Sequence, residues 1–195
     1  KKMKEEKNFT PGKNLLGNYH ELDGTIEFYG RINAILKPSD SVLDLGAGRG
    51  SWHFEDNCSY RREIRDLKNK VKYLVGVDID NAVLENPTTH KNMIMSGEKI
   101  PLEDNSMDVI MADWVLEHVL NPVEFSSEIY RVLKPGGIFC ARTPHKYKYV
   151  SLFASLIKNK IYLKLLKFIQ PQRKERDIFP TAYKLNTLQT IRRKF

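Results

Sequence analysis

The stretch Val42-Leu43-Asp44-Leu45-Gly46-Ala47-Gly48-Arg49-Gly50 restricts the fold of this chain more than any other. An apolar run short enough for a buried strand enters a turn with glycine at every second position. Glycine takes positive φ without strain and has no Cβ, so the backbone of such a turn can approach a ligand closely. In a parallel sheet this turn lies at the carboxyl edge, where open α/β sheets bind ligands. The spacing G-x-G-x-G is not the G-x-G-x-x-G of a dinucleotide-binding turn, and no lysine follows in P-loop register.

The rest of the chain repeats the alternation of strand and helix. Apolar residues at 22, 26, 28, 29, 32, 35 and 36 have helical spacing, and Pro38 stops that helix. Short apolar strands are read at 41–45, 72–77, 92–95, 107–112 and 138–141, with helices at 61–70 and 122–133 and a short turn or helix at 81–85. Lys134-Pro135-Gly136-Gly137 is read as a turn that breaks the second of these helices, with its glycines at positive φ. This order predicts an α/β fold: a Rossmann-like three-layer sandwich with a mostly parallel central sheet. The second strand, Val75-Gly76-Val77-Asp78, ends on an acid whose carboxylate can accept both hydroxyls of a ribose.

Composition matters chiefly through charge. The net charge of +8 comes from the C-terminal quarter, where residues 145–195 hold 13 Lys and Arg against 2 Asp and Glu. Such a block attracts phosphates, nucleic acid or an acidic membrane surface. Residues 150–169 read as a helix with lysines interleaved among Leu, Ile and Phe, either a cap packed on the domain or a surface for anionic lipid. No apolar run approaches the ~20 residues needed to span a bilayer, and the charged start has no apolar segment of a secretory signal behind it. Cys58 and Cys140 have no ligand spacing and read as reduced thiols of a cytoplasmic protein, with peripheral contact to the inner membrane face a further expectation.

Four motifs in order, VLDLGAGRG, VGVDID, IPLEDNSMDVIMADWVLEHV and RVLKPGGIF, resemble those of class I S-adenosylmethionine-dependent methyltransferases, especially the small-molecule and glycan group. The resemblance covers about residues 22–145. It implies S-adenosyl-L-methionine as cofactor and divides the chain into a flexible N-terminal segment or lid (1–21), a cofactor-binding core (22–145) and a basic helical cap or insertion (146–195). Carried over by position, Asp44 and the backbone of Gly46, Ala47 and Gly48 meet the methionine part, with Gly50 closing the turn. Asp78 holds the ribose and Ile79 lies against the adenine. Ser96 and Gly97 stand where the family often has an Asp-Ala pair reading the adenine amino group. Asp113 and Trp114 flank the methionine and the reacting methyl. Leu116-Glu117-His118-Val119 falls short of a metal-binding Glu-x-x-Glu-His pattern because Trp114 takes the first Glu position, so no metal is expected. The family sheet normally closes with an antiparallel strand pair for which this sequence offers no candidate, leaving an edge for the helical segment or a second subunit to cover.

Methyl transfer to a hydroxyl needs alignment and removal of a proton. The bases expected here are His145, just beyond the fifth strand, and Asp113, with His20 placed on an N-terminal lid. The acceptor expected is a small molecule or glycan, methylated on oxygen. The segment 177–187 (DIFPTAYKLNT) resembles one in bacterial methyltransferases of surface-polysaccharide synthesis, which favours a sugar. Two alternatives stand beside this reading: a nucleic-acid methyltransferase that uses the basic segment, and a non-catalytic S-adenosylmethionine-binding module. The chain has no Asn-Pro-Pro-Tyr motif of base-flipping enzymes and no evident stacking platform in its tail.

Overall fold

The structure, a computed structural model, describes residues 13–14, 19–20, 23–144 and 182–195. Five strands form one parallel sheet in the order β5-β4-β3-β6-β7: β3 Ser41–Leu45, β4 Tyr73–Asp78, β5 Lys91–Ile94, β6 Met107–Asp113 and β7 Leu133–Arg142. The chain builds outward from β3 through β4 to β5, then crosses back to place β6 on the other flank of β3. The turn after β3 therefore opens at the switch point, where a crevice forms between loops that leave in opposite directions. A separate antiparallel pair joins β1 (Lys13–Asn14) to β2 (Tyr19–His20), inside a segment the sequence read as loose.

Both sheet faces are covered, as the unbroken apolar strands require. On one face Leu43, Leu45, Val77 and Ile110 pack with Phe125 and Ile129 of α4 (Pro122–Val132). On the other, Val42, Leu74, Val109 and Met111 pack with Tyr29 and Ile32 of α1 (Gly24–Ile35) and Ile64 of α3 (Ser59–Arg65). The Asp23 carboxylate caps α1, accepting from Thr25 N at 2.9 Å and Ile26 N at 3.1 Å. The same acid binds Arg61 of α3, which ties the two helices together. A four-residue helix, α2 (Trp52–Glu55), follows the glycine turn, and a 3₁₀ turn at Asn81–Glu85 follows β4. Cys58 and Cys140 are free thiols, and the Cys58 sulfur accepts from Arg61 N at the start of α3.

Three further features differ from the sequence reading. The helix expected over 61–70 is shorter and earlier, ending at Arg65. Lys134-Pro135-Gly136-Gly137 does not separate helix from strand. Pairing with β6 begins at Leu133 and resumes at Ile138, while the facing strand advances only from Met107 to Val109, so these four residues arch out as a bulge. Gly136 alone of the two glycines has positive φ; Gly137 is needed because a Cβ there would stand 2.9 Å from the Asp108 carbonyl oxygen. Third, residues 182–195 join the core on the α4 side. Leu185 is fully buried, Phe195 stacks on Phe139 with ring centres 4.9 Å apart, and Tyr130 Oη donates to the Phe195 carbonyl at 2.6 Å. The short helix α5 (Leu188–Arg192) is held at its start by reciprocal bonds between Thr187 and Thr190. The helix read over 150–169, His145 and residues 177–181 of the segment 177–187 lie outside the described residues. No helix among the described residues is long and apolar enough to cross a membrane.

Candidate functional site

The glycine turn is pinned to the neighbouring strand. Gly46 N and Ala47 N both donate to the Val77 carbonyl, at 2.7 and 3.3 Å. Gly46 has φ +76°, and a Cβ there would overlap the Val115 side chain. Gly48 has φ +52° and nothing within 4 Å of where its Cβ would be, so this part of the turn is bare and open. Gly50 is buried against Asn86 and Thr88, away from the open side.

Asp78 joins the end of β4 to this turn. Its Oδ2 accepts from Gly48 N at 2.8 Å and its Oδ1 from Asp80 N at 2.9 Å. Each oxygen keeps a further acceptor position. Beneath the turn lies Asn86, which the sequence reading did not single out. Buried, it donates through Nδ2 to the carbonyls of Ala47 at 3.1 Å and Gly48 at 3.0 Å, and its Oδ1 accepts from Thr88 N and Oγ1. Only the turn pair Asn86-Pro87 marked this position in the sequence, and that says nothing of a partner thirty-eight residues away. Asn86→Ala leaves two turn carbonyls without their donor and is expected to destabilise the fold by about 1–3 kcal/mol; chemical denaturation measures it. Gly76 is constrained as well, since a Cβ there would press on Ala47 at 3.2 Å and displace the turn.

A crevice of about 490 Å³ opens beside the turn, within the usual range for small-ligand pockets. Gly46, Asp78, Ile79, Ser96, Gly97 and Trp114 all line it, so six of the residues singled out in the sequence come together here. Its floor is apolar, from Leu45, Met95, Val115, Val119 and Phe125, and His118 also faces it. Ile79 and Trp114 stand 58% and 50% exposed at its rim. Trp114 also holds φ +61°, a strained conformation for a bulky residue and one that clusters at functional sites.

Asp44 belongs to the other sheet face, in phase with Val42 and toward α1 and α3. Burial first, then the neighbouring carboxylate of Asp113, push its carboxyl up to about 7; the Arg65 guanidinium acts in the opposite direction. Tyr29 packs beside this group, and burial together with Asp44 and Asp113 keeps its phenol protonated far above the ordinary range. The structure places Asp113 in a two-pronged ion pair: Arg142 Nε donates to Oδ1 and Nη2 to Oδ2, both at 2.7 Å. Arg142 Nη1 donates to Thr25 Oγ1, and its Cζ lies 5.2 Å from the Phe28 ring centre and 5.5 Å from that of Trp114. Neither Arg142 nor Arg65 was singled out in the sequence, where each is one basic residue among many.

At the carboxyl ends of β6 and β7 a second buried knot forms. Glu117, whose carboxyl burial pushes up, accepts at Oε2 from Thr143 Oγ1 at 2.9 Å. Thr143 in turn accepts from Asn186, which also donates to the Pro144 carbonyl at 3.0 Å. The Glu117 carbonyl takes the amides of Ala182 and Tyr183. Chain leaving β7 and chain returning at 182 thus meet at one point.

Residues 43–141, 99 of the 195, match the methyltransferase domain family. Over 160 residues the chain is 26% identical to a demethylmenaquinone methyltransferase of Symbiobacterium thermophilum, covering 76% of this chain and 61% of that protein. Over 108 residues it is 30% identical to a malonyl-[acyl-carrier protein] O-methyltransferase of Marinomonas sp., covering 52% of this chain and 37% of that one. The chain therefore spans less than two thirds of the length of either relative. The crystal structure of a SAM-dependent methyltransferase from Aquifex aeolicus superimposes with a TM-score of 0.50 at 18% identity, covering 75% of this chain and 81% of that one, a likeness of fold. With a parallel sheet, a bare turn at its switch point and a family match across the whole sheet, the chain belongs to the methyltransferase domain family, of the class I fold that uses S-adenosylmethionine.

Proposed function

We propose that this chain transfers the methyl group of S-adenosylmethionine to an oxygen of a small, sugar-containing acceptor. One observation carries the donor half of this reading: the 2.8 Å bond from Gly48 N to Asp78 Oδ2, which fastens the bare backbone of the turn to an acid that lines the crevice. The donor set suits the cofactor. Asp78 offers its remaining lone pairs to two hydroxyls, Gly48 allows close backbone approach, and the apolar floor with Ile79 gives an aromatic base a surface. Ser96 offers a hydroxyl to the adenine edge, and Gly97 beside it leaves the rim open. Asp44 supplies a carboxylate for the cofactor's ammonium, with Ala47 in the turn backbone above it.

When bound, the donor supplies a methyl on a cationic sulfur that needs no further activation. The chain's own tasks are then to align the acceptor, exclude water and take a proton. Trp114 lines the crevice just after β6, and the Asp113–Arg142 pair lies beside its ring. Both Asp113 oxygens are engaged by Arg142, which makes His145 the better base of the two. The sugar preference rests on segment 177–187, and the basic segment suits an acceptor that carries phosphate. Calorimetric titration with S-adenosylmethionine tests the donor half. Transfer of labelled methyl to sugar nucleotides and lipid-linked sugars, against RNA, tests the acceptor half. Label appearing only in RNA, or in no acceptor, overturns it.

The Asp44 placement predicts a pH dependence. With its pKa near 7 in the free protein, Asp44 must lose a proton to receive an ammonium at lower pH. Affinity is expected to fall by up to about tenfold per unit below pH 7. Titrations in buffers of different ionisation enthalpy are expected to show nearly one proton released at pH ~6 and almost none at pH ~8. For the protein without cofactor the sign is opposite. A raised carboxyl pKa means the folded state holds a proton the unfolded chain has lost, so the Asp44 contribution to stability declines as pH rises from about 4 to 7.

A further inference from the structure

We infer that Glu117 is a positioning residue: it ties the wall of the crevice to residues 182–186, so that filling the crevice and docking that stretch stabilise one another. The ligand side of this coupling rests on the donor reading above. The chain between β6 and α4 lines the crevice with Trp114, Val115, His118, Val119 and Leu120. Glu117 stands in this run but does not line the crevice; it is buried. Its carbonyl accepts from Ala182 N at 2.7 Å and from Tyr183 N at 3.0 Å. Three residues on, the Leu120 carbonyl accepts from Lys184 Nζ at 2.7 Å. The Glu117 carboxylate accepts from Thr143 Oγ1, which accepts in turn from Asn186 Nδ2. The remaining residue of the stretch, Leu185, is buried in the same apolar cluster as Leu116 and Val119. The whole of 182–186 is thus spent on holding the crevice wall from behind.

This junction is held at a cost. Trp114 on the wall and Tyr183 on the stretch both have positive φ, +61° and +50°, which bulky side chains rarely adopt. Asn186 is buried and uses its amide N–H groups on Thr143 and the Pro144 carbonyl, but its Oδ1 has no partner among the described residues. A buried oxygen without a donor costs free energy that a wet one does not. Contacts that are strained and incompletely bonded open ahead of the rest of a fold, which gives the junction a docked and an open arrangement. A ligand in the crevice lies against Trp114, His118 and Leu120, whose positions the docked arrangement fixes. Its contacts favour that arrangement, and the docked stretch raises the ligand's affinity by the same factor. The route is one of direct bonds: crevice wall, Glu117, residues 182–186.

The test follows amide hydrogen exchange by NMR, with and without S-adenosylhomocysteine, beside calorimetry on the same samples. In the native chain saturating ligand is expected to slow exchange at Ala182 and Tyr183 by about tenfold or more. The Asp66 amide, at the end of α3 on the other sheet face, is the reference and is expected to change by less than about twofold. Thr143→Val removes the hydroxyl that joins Glu117 to Asn186. It is expected to weaken ligand affinity by about five- to twentyfold and to cancel most of the slowing. Lys184→Met, at an exposed side chain, is expected to weaken affinity by about two- to fivefold and serves if the valine variant does not fold. Glu117→Gln keeps an acceptor for Thr143 and is expected to bind within about twofold of the native chain. A folded Thr143→Val or Lys184→Met chain that melts lower yet binds with native affinity makes the junction merely structural and overturns the inference. Equal slowing at Asp66 and at Ala182 overturns it too, as general stabilisation, and leaves the donor reading intact. A native chain that does not bind S-adenosylhomocysteine overturns the donor reading itself, and this one with it.

Discussion

A Gly46→Val variant will show no measurable S-adenosylmethionine binding and will also be less stable than the native chain. Two costs add in the folded state. A β-branched residue at φ +76° is strained by roughly 1–2 kcal/mol. Its Cβ also overlaps the Val115 side chain, and overpacking of this kind costs about 1–3 kcal/mol. From sequence alone the expected obstacle is the cofactor; the structure shows that protein already occupies the space, contributed by the loop after β6. The two effects separate in a double variant. Gly46→Ala with Val115→Ala relieves the overlap and is expected to recover part of the melting temperature. Binding is expected to stay weak, because Gly46 itself lines the crevice and its Cβ would remain there. Calorimetry and thermal melts on the same samples check both. Native affinity in a folded Gly46→Val chain contradicts the placement of the turn at the ligand.

Asp78→Ala is expected to weaken S-adenosylmethionine binding by about 1–3 kcal/mol, from the loss of charge-assisted hydrogen bonds to the ribose. The structure adds a second route. Asp78 also accepts from Gly48 N and Asp80 N, so its removal loosens the turn against β4. Asp78→Asn keeps an acceptor oxygen but loses the charge. It is expected to fall between native and alanine in affinity while melting closer to the native chain. An unchanged dissociation constant in a folded Asp78→Ala chain removes this residue from the site.

How much of this was legible beforehand differs by element. The strands at 41–45 and 107–113 announce themselves because both their faces are buried, so their apolar runs are unbroken. The bulge at Lys134–Gly137 did not, because Pro and Gly mark a departure from regular backbone without saying whether pairing resumes on the same strand. Likewise Leu185 and Phe195 sit in a polar, basic stretch whose local pattern does not reveal that it returns to the core. Among site residues, Gly48 and Asp78 were visible because each is tied to a turn or strand end only a few residues long. Asn86 and Arg142 were not, because their significance comes from partners that the fold brings near: turn carbonyls and a carboxylate on a neighbouring strand.

The amino-acid sequence by itself determined the alternation of strand and helix, the position of the bare turn and the acid that ends the next strand. These follow from local backbone preference and hydrophobic period, which act over a few residues. Only the tertiary structure decided what fills the space above Gly46, which arginine neutralises Asp113, and how far burial raises Asp44. Those depend on distances between segments far apart in the chain and on the loss of water around them, and no local pattern encodes either.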